Sequence, residues 1–397
     1  MVAVVAAASM LPAPLAAQSG SGATLTGIDV LEQQGFAPLR GKRIGLVTNQ
    51  TGVTRDSRST IDVLARAPGV TLVALFSPEH GIRGDQDQRI ESGRDAATGL
   101  PIFSLYGQTL RPTDAMLEGL DALVFDIQDA GVRFYTYVTT MAYAMEASAR
   151  RRLPFFVLDR PNPIGGLRIE GPMLDSDKLN FVGYFSMPVR MAMTIGELAQ
   201  MFNAENQIGC DLHVIAMSNW QRSDWFDSTG LRWINPSPNL RSLDSATLYP
   251  GLEILQSAGV SVGRGTARPF EQFGAPWIRG PDVAERLNRT AIPGVRFSQA
   301  EFTPDSDLHA GERCQGVSIE ITNRSAVPAM RMGLEIAAAL ADLYPDRFDV
   351  TRILTLLGNA ETVERLRRGE SPESIVRSWD PQLENFRRVR AKYLLYR

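Results

Sequence analysis

Val70-Thr-Leu-Val-Ala-Leu-Phe76 running into Ser77-Pro-Glu-His80, and Ala122-Leu-Val-Phe125 running into Asp126-Ile-Gln-Asp129, are the stretches that decide the fold. Both apolar runs are short, rich in Val, Leu and Phe, and do not alternate with polar residues. A strand buried on both faces of a parallel sheet reads this way. Arg43–Thr48 and Phe155–Leu158 share the character, and the latter runs into Asp159-Arg-Pro-Asn162. Three predicted strands therefore stop at an acid: Glu79, Asp126 or Asp159. Open α/β sheets bind ligands beyond the carboxyl ends of their strands, so these acids are expected to line one crevice. Crowded carboxylates in a cleft perturb one another's proton affinity, as acid–base chemistry requires.

Working outward, helical patterns separate the strands. Helices are expected at Ser59–Arg66, Thr113–Gly119 and Tyr137–Arg152, with a short strand at Pro101–Ser104. Thr194 and Glu197 have the spacing of a capping box opening a helix Ile195–Asn203, and a strand Leu212–Met217 follows. Repeated strand–helix–strand predicts a Rossmann-like, doubly wound parallel sheet over 24–245. After about Leu240 the pattern changes. A Gly/Pro-heavy stretch, Gly259–Pro281, precedes strand-like segments Arg296–Phe302 and Gly316–Thr322. Helices are expected at Ala329–Leu343, Thr351–Leu357, Glu361–Arg368 and Gln382–Tyr393. Residues 246–397 thus read as a smaller α+β domain closing the cleft.

A chain of 397 residues is long for a single core, in keeping with two domains. Hydrophobic content of 44% and charged content of 21% are those of a globular protein. A net charge of -3 supplies no basic field for nucleic acid or anionic lipid, so the expected partner is small, or neutral and polar. Met1–Ala17 is almost wholly apolar, too short to span a bilayer, and ends Ala13-Pro-Leu-Ala-Ala17. It reads as a secretory signal, so 1–23 is taken as leader and linker, and the protein as exported to the periplasm or beyond. No membrane-spanning segment is expected in the mature chain, and the sequence leaves its oligomeric state open. Cys210 and Cys314 lie in no C-x-x-C pair; buried free thiols are the plain reading, and a disulfide is permitted outside the cytosol.

The candidate chemistry sits in loops. Pro78 stiffens the turn that presents Glu79 and His80, and Gly81 and Gly84 let backbone approach a ligand. Arg133 follows Asp126 and Asp129 closely enough to pair with one of them. Tyr135 and Tyr137 offer flat faces with hydroxyls, which suit the C–H surfaces of a sugar. Pro161 and Pro163 fix the path around Asn162, beside Asp159 and Arg160, and Glu170 follows as a second candidate reactive carboxylate. Asn235 and Asn239 flank prolines and are placed to read hydroxyls or an acetamido group. Arg264, between two glycines, can approach an anion, with Glu271 nearby. Each of these also has a plain structural reading as a turn or an ion pair.

No G-x-S-x-G elbow, no GxGxxG after the first strand and no Walker A loop is present. His80, His213 and His309 are the only histidines, which disfavours a His-rich zinc site. No cofactor is expected. A Mg²⁺ or Ca²⁺ held by Asp126, Asp129 and Asp159 is the alternative.

Phe76-Ser-Pro-Glu-His-Gly-Ile-Arg-Gly84, Val124-Phe-Asp-Ile-Gln-Asp129, Arg133-Phe-Tyr-Thr-Tyr137, Leu158-Asp-Arg-Pro-Asn-Pro163, Ile234-Asn-Pro-Ser-Pro-Asn239, Gly263-Arg-Gly-Thr266 and Phe273-Gly-Ala-Pro-Trp277 together resemble a bacterial family of exo-acting β-N-acetylmuramidases. These are glycoside hydrolases of cell-wall recycling. The resemblance runs from about Gly27 to the C-terminal Lys392–Tyr396 stretch. It departs at Gln256-Ser-Ala-Gly259, where a Glu-Gly-Thr-Asn-like run is usual. It implies a Rossmann-like domain, a smaller C-terminal domain, and release of N-acetylmuramic acid from the non-reducing end of peptidoglycan fragments.

Residues and resemblance agree on hydrolysis by two carboxylates, one protonated and one ionised. Glu79 is the expected general acid/base, with Glu170, Asp126 or Asp129 as partner. The substrate's own acetamido group is another candidate nucleophile. The lactyl carboxylate of muramic acid needs a cation, for which Arg264, Arg133 and Arg160 are candidates. The rival readings are an exported sugar-binding protein without catalysis and a metal-dependent hydrolase.

Overall fold

The computed structural model describes residues 22–85 and 90–397, so the expected leader lies almost wholly outside the described residues. In chain order the strands are β1 (Arg43–Thr48), β2 (Thr71–Ser77), β3 (Gly93–Arg94), β4 (Pro101–Ser104), β5 (Ala122–Asp126), β6 (Phe155–Leu158), β7 (Glu170–Met173), β8 (Pro188–Arg190), β9 (Leu212–Ile215), β10 (Gln272–Ala275), β11 (Val295–Phe302) and β12 (Cys314–Ile321). Seven form one sheet in the order β3-β4-β2-β1-β5-β6-β9. Every pairing in it is parallel except β3 with β4. The chain builds outward from β1 through β2 to β4, then returns to β5 on the other side of β1. That reversal between β1 and β5 is the topological switch point of a doubly wound sheet.

The non-alternating strands are explained by burial on both faces. Ile44, Leu46, Val124, Phe156 and Leu158 point into one apolar core with Ile28 and Leu64. Val47, Leu123, Phe125, Phe155 and Val157 point into the other, with Met141 and Leu198. The second core continues into the smaller domain through Leu252, Phe273 and Val317. Thr194 caps the helix Ile195–Glu205 in the expected box with Glu197. The helix expected at Thr113–Gly119 is replaced by successive turns, such as Met116 N to Thr113 O. Seven residues ending at a left-handed Gly119 are too few to sustain a helix alone.

The smaller domain contains a three-stranded antiparallel sheet, β10-β12-β11. β10 falls inside the stretch expected to be irregular, because Gly274 and Pro276 hide its pattern. An unforeseen helix, Leu243–Gln256, with Pro250 inside it, packs against Ala329–Leu343. The expected domain boundary at 245/246 falls in its first turn. Backbones touch here: a Cβ on Gly251 would lie 2.0 Å from the Ala329 carbonyl oxygen, and one on Gly333 2.3 Å from that of Gly251. Cys210 and Cys314 are free, buried thiols. No helix among the described residues is long and apolar enough to cross a membrane.

Candidate active site

A cleft of about 540 Å³ opens where the loop after β2 meets the smaller domain, a size suited to a sugar or small oligosaccharide. Glu79 reaches it because the chain turns sharply after β2. His80 and Gly81 both adopt left-handed φ, at 69° and 81°, and Gly81 N–H donates to the Pro78 carbonyl at 3.1 Å. Thr136, just before the helix Tyr137–Arg151, fixes the acid by donating its hydroxyl to Glu79 Oε2 at 2.5 Å. Tyr137 donates to the Pro236 carbonyl at 2.7 Å and ties the Asn235–Asn239 loop to the same wall. Phe134, Tyr135, Tyr249 and Phe270 supply aromatic surface, while Ser237, Asn239, Asp307 and Arg264 supply polar groups.

Electrostatics mark one end of this cleft. Glu253, on the helix Leu243–Gln256, accepts from Arg264 Nη2 at 2.6 Å, and Arg264 Nη1 reaches Asp307 at 3.3 Å. Burial pushes the Glu253 carboxyl up to about 7, against the pull of Arg264, and the charges of Asp307 and Glu79 add to the rise. Its Oε2 is buried without a hydrogen-bond partner. Among the described residues the buried Tyr135 hydroxyl meets no partner at full hydrogen-bonding geometry, with the Ser237 and Tyr137 hydroxyls as its polar neighbours. Burial raises the hydroxyls of Tyr135 and Tyr249 well above the ordinary tyrosine value. A pocket with unsatisfied buried oxygens and a partly protonated acid is chemically poised for a polar ligand.

Of the residues singled out in the sequence, Glu79, His80, Tyr135, Asn239 and Arg264 line this cleft. Asp126 and Asp159 do not, and the expectation that three strand-end acids share one crevice is corrected. Asp126 is fully buried under Arg160, which donates from Nε at 2.5 Å and Nη2 at 2.9 Å; Thr60 donates a further bond. Asp159 is fully buried and accepts from Thr194, Gly196 N–H, Arg160 N–H and the C-terminal Tyr396 hydroxyl. Burial lifts it to about 6. Asp129 accepts from Gly131 N–H at 2.7 Å, keeps Oδ1 unpartnered, and is raised by burial to about 7. No group of three or more His, Cys, Asp or Glu among the described residues is arranged to hold a metal ion.

The remaining candidates serve the scaffold. Among the described residues Arg133 pairs with no aspartate: it donates to the carbonyls of Pro172, Met187, Leu356 and Leu357, clamping the β7–β8 hairpin to the smaller domain. Glu170 is bound by Arg190 at 3.1 Å and Arg168 at 3.5 Å, and accepts from Met330 N–H. Asn162 accepts from Ile164 N–H within its own turn and donates to the Met193 carbonyl of a distant segment. Asn235 is exposed, and only its backbone carbonyl is engaged, by Gln50. Glu271 accepts from Ser242 and Ser245 at the start of the Leu243–Gln256 helix.

Sequence reasoning missed Thr136, Tyr249, Glu253 and Asp307, all of which line the cleft. Glu253 carried a signal: a lone acid between Leu252 and Ile254-Leu255 in an apolar run. Gln256, where the chain departs from the resembled pattern, stands one helical turn later and donates to Asp307 at 2.9 Å.

A two-domain α/β protein with a carboxylate-lined, aromatic cleft at the sheet's C-terminal edge has the architecture of a carbohydrate-active enzyme. The chain matches the family described as exo-beta-N-acetylmuramidase NamZ, its N-terminal part over residues 44–244 and its C-terminal part over 247–396, and belongs to that family. It is 45% identical over 376 residues to the peptidoglycan beta-N-acetylmuramidase NamZ of Bacillus subtilis, covering 94% of this chain and 91% of that protein. Among solved structures it resembles two DUF1343 family proteins of Bacteroides fragilis. One has TM-score 0.88 and 41% identity, covering 94% of this chain and 99% of the other. The second has TM-score 0.78 and 30% identity, covering 95% and 99%.

Proposed function

We propose that this chain is an exo-acting glycoside hydrolase that releases β-linked N-acetylmuramic acid from the non-reducing end of peptidoglycan fragments. The observation that carries the reading is the placement of Glu79: a carboxylate fixed by Thr136 on the wall of a sugar-sized cleft, in a chain of the NamZ family. Glu79 serves as general acid and then general base at the glycosidic oxygen. Glu253 replaces Glu170, Asp126 and Asp129 as the second carboxylate, because it alone of these four lines the same cleft. It acts on the oxocarbenium-like centre or on the acetamido group that attacks it. Tyr135 and Phe270 give the sugar ring apolar surface.

The apolar Met1–Ala17 run and a wall-derived substrate support export to the periplasm or beyond. Cell fractionation that finds the protein with its leader intact in the cytoplasm would overturn that part. For the activity, purified protein is incubated with N-acetylmuramyl-β-1,4-N-acetylglucosamine and the products are separated. Free N-acetylmuramic acid is expected, with an undiminished rate in chelator. Binding without release would favour the sugar-receptor reading.

A further inference from the structure

One end of the cleft carries a single arginine, Arg264, set between two carboxylates. Among the described residues lining the cleft, Arg264 is the one arginine or lysine. The other two cations considered from the sequence are committed elsewhere: Arg160 to Asp126, and Arg133 to four backbone carbonyls. Arg264 holds two acids of different standing. Glu253, on its rigid helix, is 10% exposed at the side chain and sits at 2.6 Å. Asp307, on the loop after β11, is 31% exposed and sits at the longer distance of 3.3 Å. Around them, Arg264 Nε, Glu253 Oε2 and Gln256 Oε1 are buried without hydrogen-bond partners.

We propose that Arg264 recognises the carboxylate of the sugar's acidic substituent, and that Asp307 occupies that carboxylate's place on Nη1 until substrate displaces it. The proposal rests on the muramidase reading and names the residue that separates muramic acid from its parent N-acetylglucosamine. Glu253 keeps Arg264 oriented through Oε1, which leaves its second oxygen, Oε2, for the sugar. Asp307 is the one that leaves, because its carboxylate is the more exposed and the more distant of the two and, once freed, returns to water, still bonded to Gln256 Nε2. The incoming carboxylate meets a guanidinium already desolvated by Phe270, whose ring centroid lies 5.7 Å from Arg264 Cζ.

Calorimetric binding of free N-acetylmuramic acid and of N-acetylglucosamine tests this without requiring turnover. Arg264→Gln should weaken N-acetylmuramic acid by about 10- to 100-fold, the scale of one charged hydrogen-bonded pair, and leave N-acetylglucosamine unchanged. Arg264→Lys should recover part of the loss. Asp307→Asn, an exposed change that spares the fold, should tighten N-acetylmuramic acid alone. Equal weakening of both sugars in Arg264→Gln, or no tightening in Asp307→Asn, would overturn the proposal. Wild-type protein that prefers N-acetylmuramic acid but never cleaves its glycosides would leave Arg264 in its role and remove the hydrolase reading instead.

Discussion

Asp126 ends one parallel strand and Glu79 follows another of the same sheet, yet they have opposite surroundings. Asp126 is fully buried, with both oxygens taken by Arg160 and Thr60. Glu79 is partly exposed on the wall of a cleft, held through one oxygen by Thr136. The position of an acid at a strand end therefore says where the backbone goes, and the partners decide whether the acid braces the fold or meets a ligand. Arg160 makes Asp126 a brace, and Tyr396 does the same for Asp159 by docking the C-terminus against β6.

The largest effect that would sharpen this contrast is on stability. Asp126→Asn leaves the Arg160 guanidinium buried without its counter-charge and should cost about 3–5 kcal/mol in denaturant unfolding. The turnover of the molecules that remain folded should be little changed. A loss of rate without loss of stability would place Asp126 in the chemistry after all.

Asp129 gives an effect of similar size but opposite sign. Its folded value of about 7 lies above the ordinary 3.8, so the folded state binds the proton more tightly than the unfolded chain. The resulting penalty is absent below about pH 4, grows as pH rises, and is complete above about pH 7. Asp129→Asn should therefore stabilise the protein more at pH 8 than at pH 5, by up to about 3 kcal/mol, the penalty that accumulates over the roughly two pH units between 5 and the folded value. Asp159, at about 6, adds to the wild-type decline in the same direction. Thermal melts across that range check it; a gain independent of pH would contradict it.

Glu79→Gln comes next. It should melt like wild type and lose at least about 100-fold in kcat, or roughly 2.7 kcal/mol of barrier. Smallest is Tyr396→Phe, which removes the hydrogen bond to Asp159 and the acceptor of Met217 N–H, and should cost about 1–2 kcal/mol of stability, with the rate on the muramyl disaccharide retained.

Much of the fold was legible because burial on both faces imposes its own sequence pattern. Val47, Leu123 and Phe125 face one core while Ile44, Leu46 and Val124 face the other, so no polar residue interrupts the runs. The Leu243–Gln256 helix was hidden by Pro250-Gly251, present because Gly251 must meet Ala329 backbone to backbone. Only part of the site was legible. Glu79 and Arg264 announced themselves by flanking prolines and glycines. Glu253 and Asp307 come together through a contact between segments 54 positions apart, which no local pattern encodes. Arg133 and Glu170 misled because a buried arginine satisfied by carbonyls has the same sequence appearance as one waiting for a carboxylate.

The central claim is that the cleft bearing Glu79 and Glu253, and not the buried ends of β5 and β6, holds the scissile sugar. A crystal structure of the Glu79→Gln protein with N-acetylmuramyl-N-acetylglucosamine tests it directly. The account predicts the glycosidic oxygen within hydrogen-bonding distance of residue 79 and the lactyl carboxylate on Arg264. A disaccharide seated beside Arg160 and Asp126, with the Glu79 cleft empty, would contradict it.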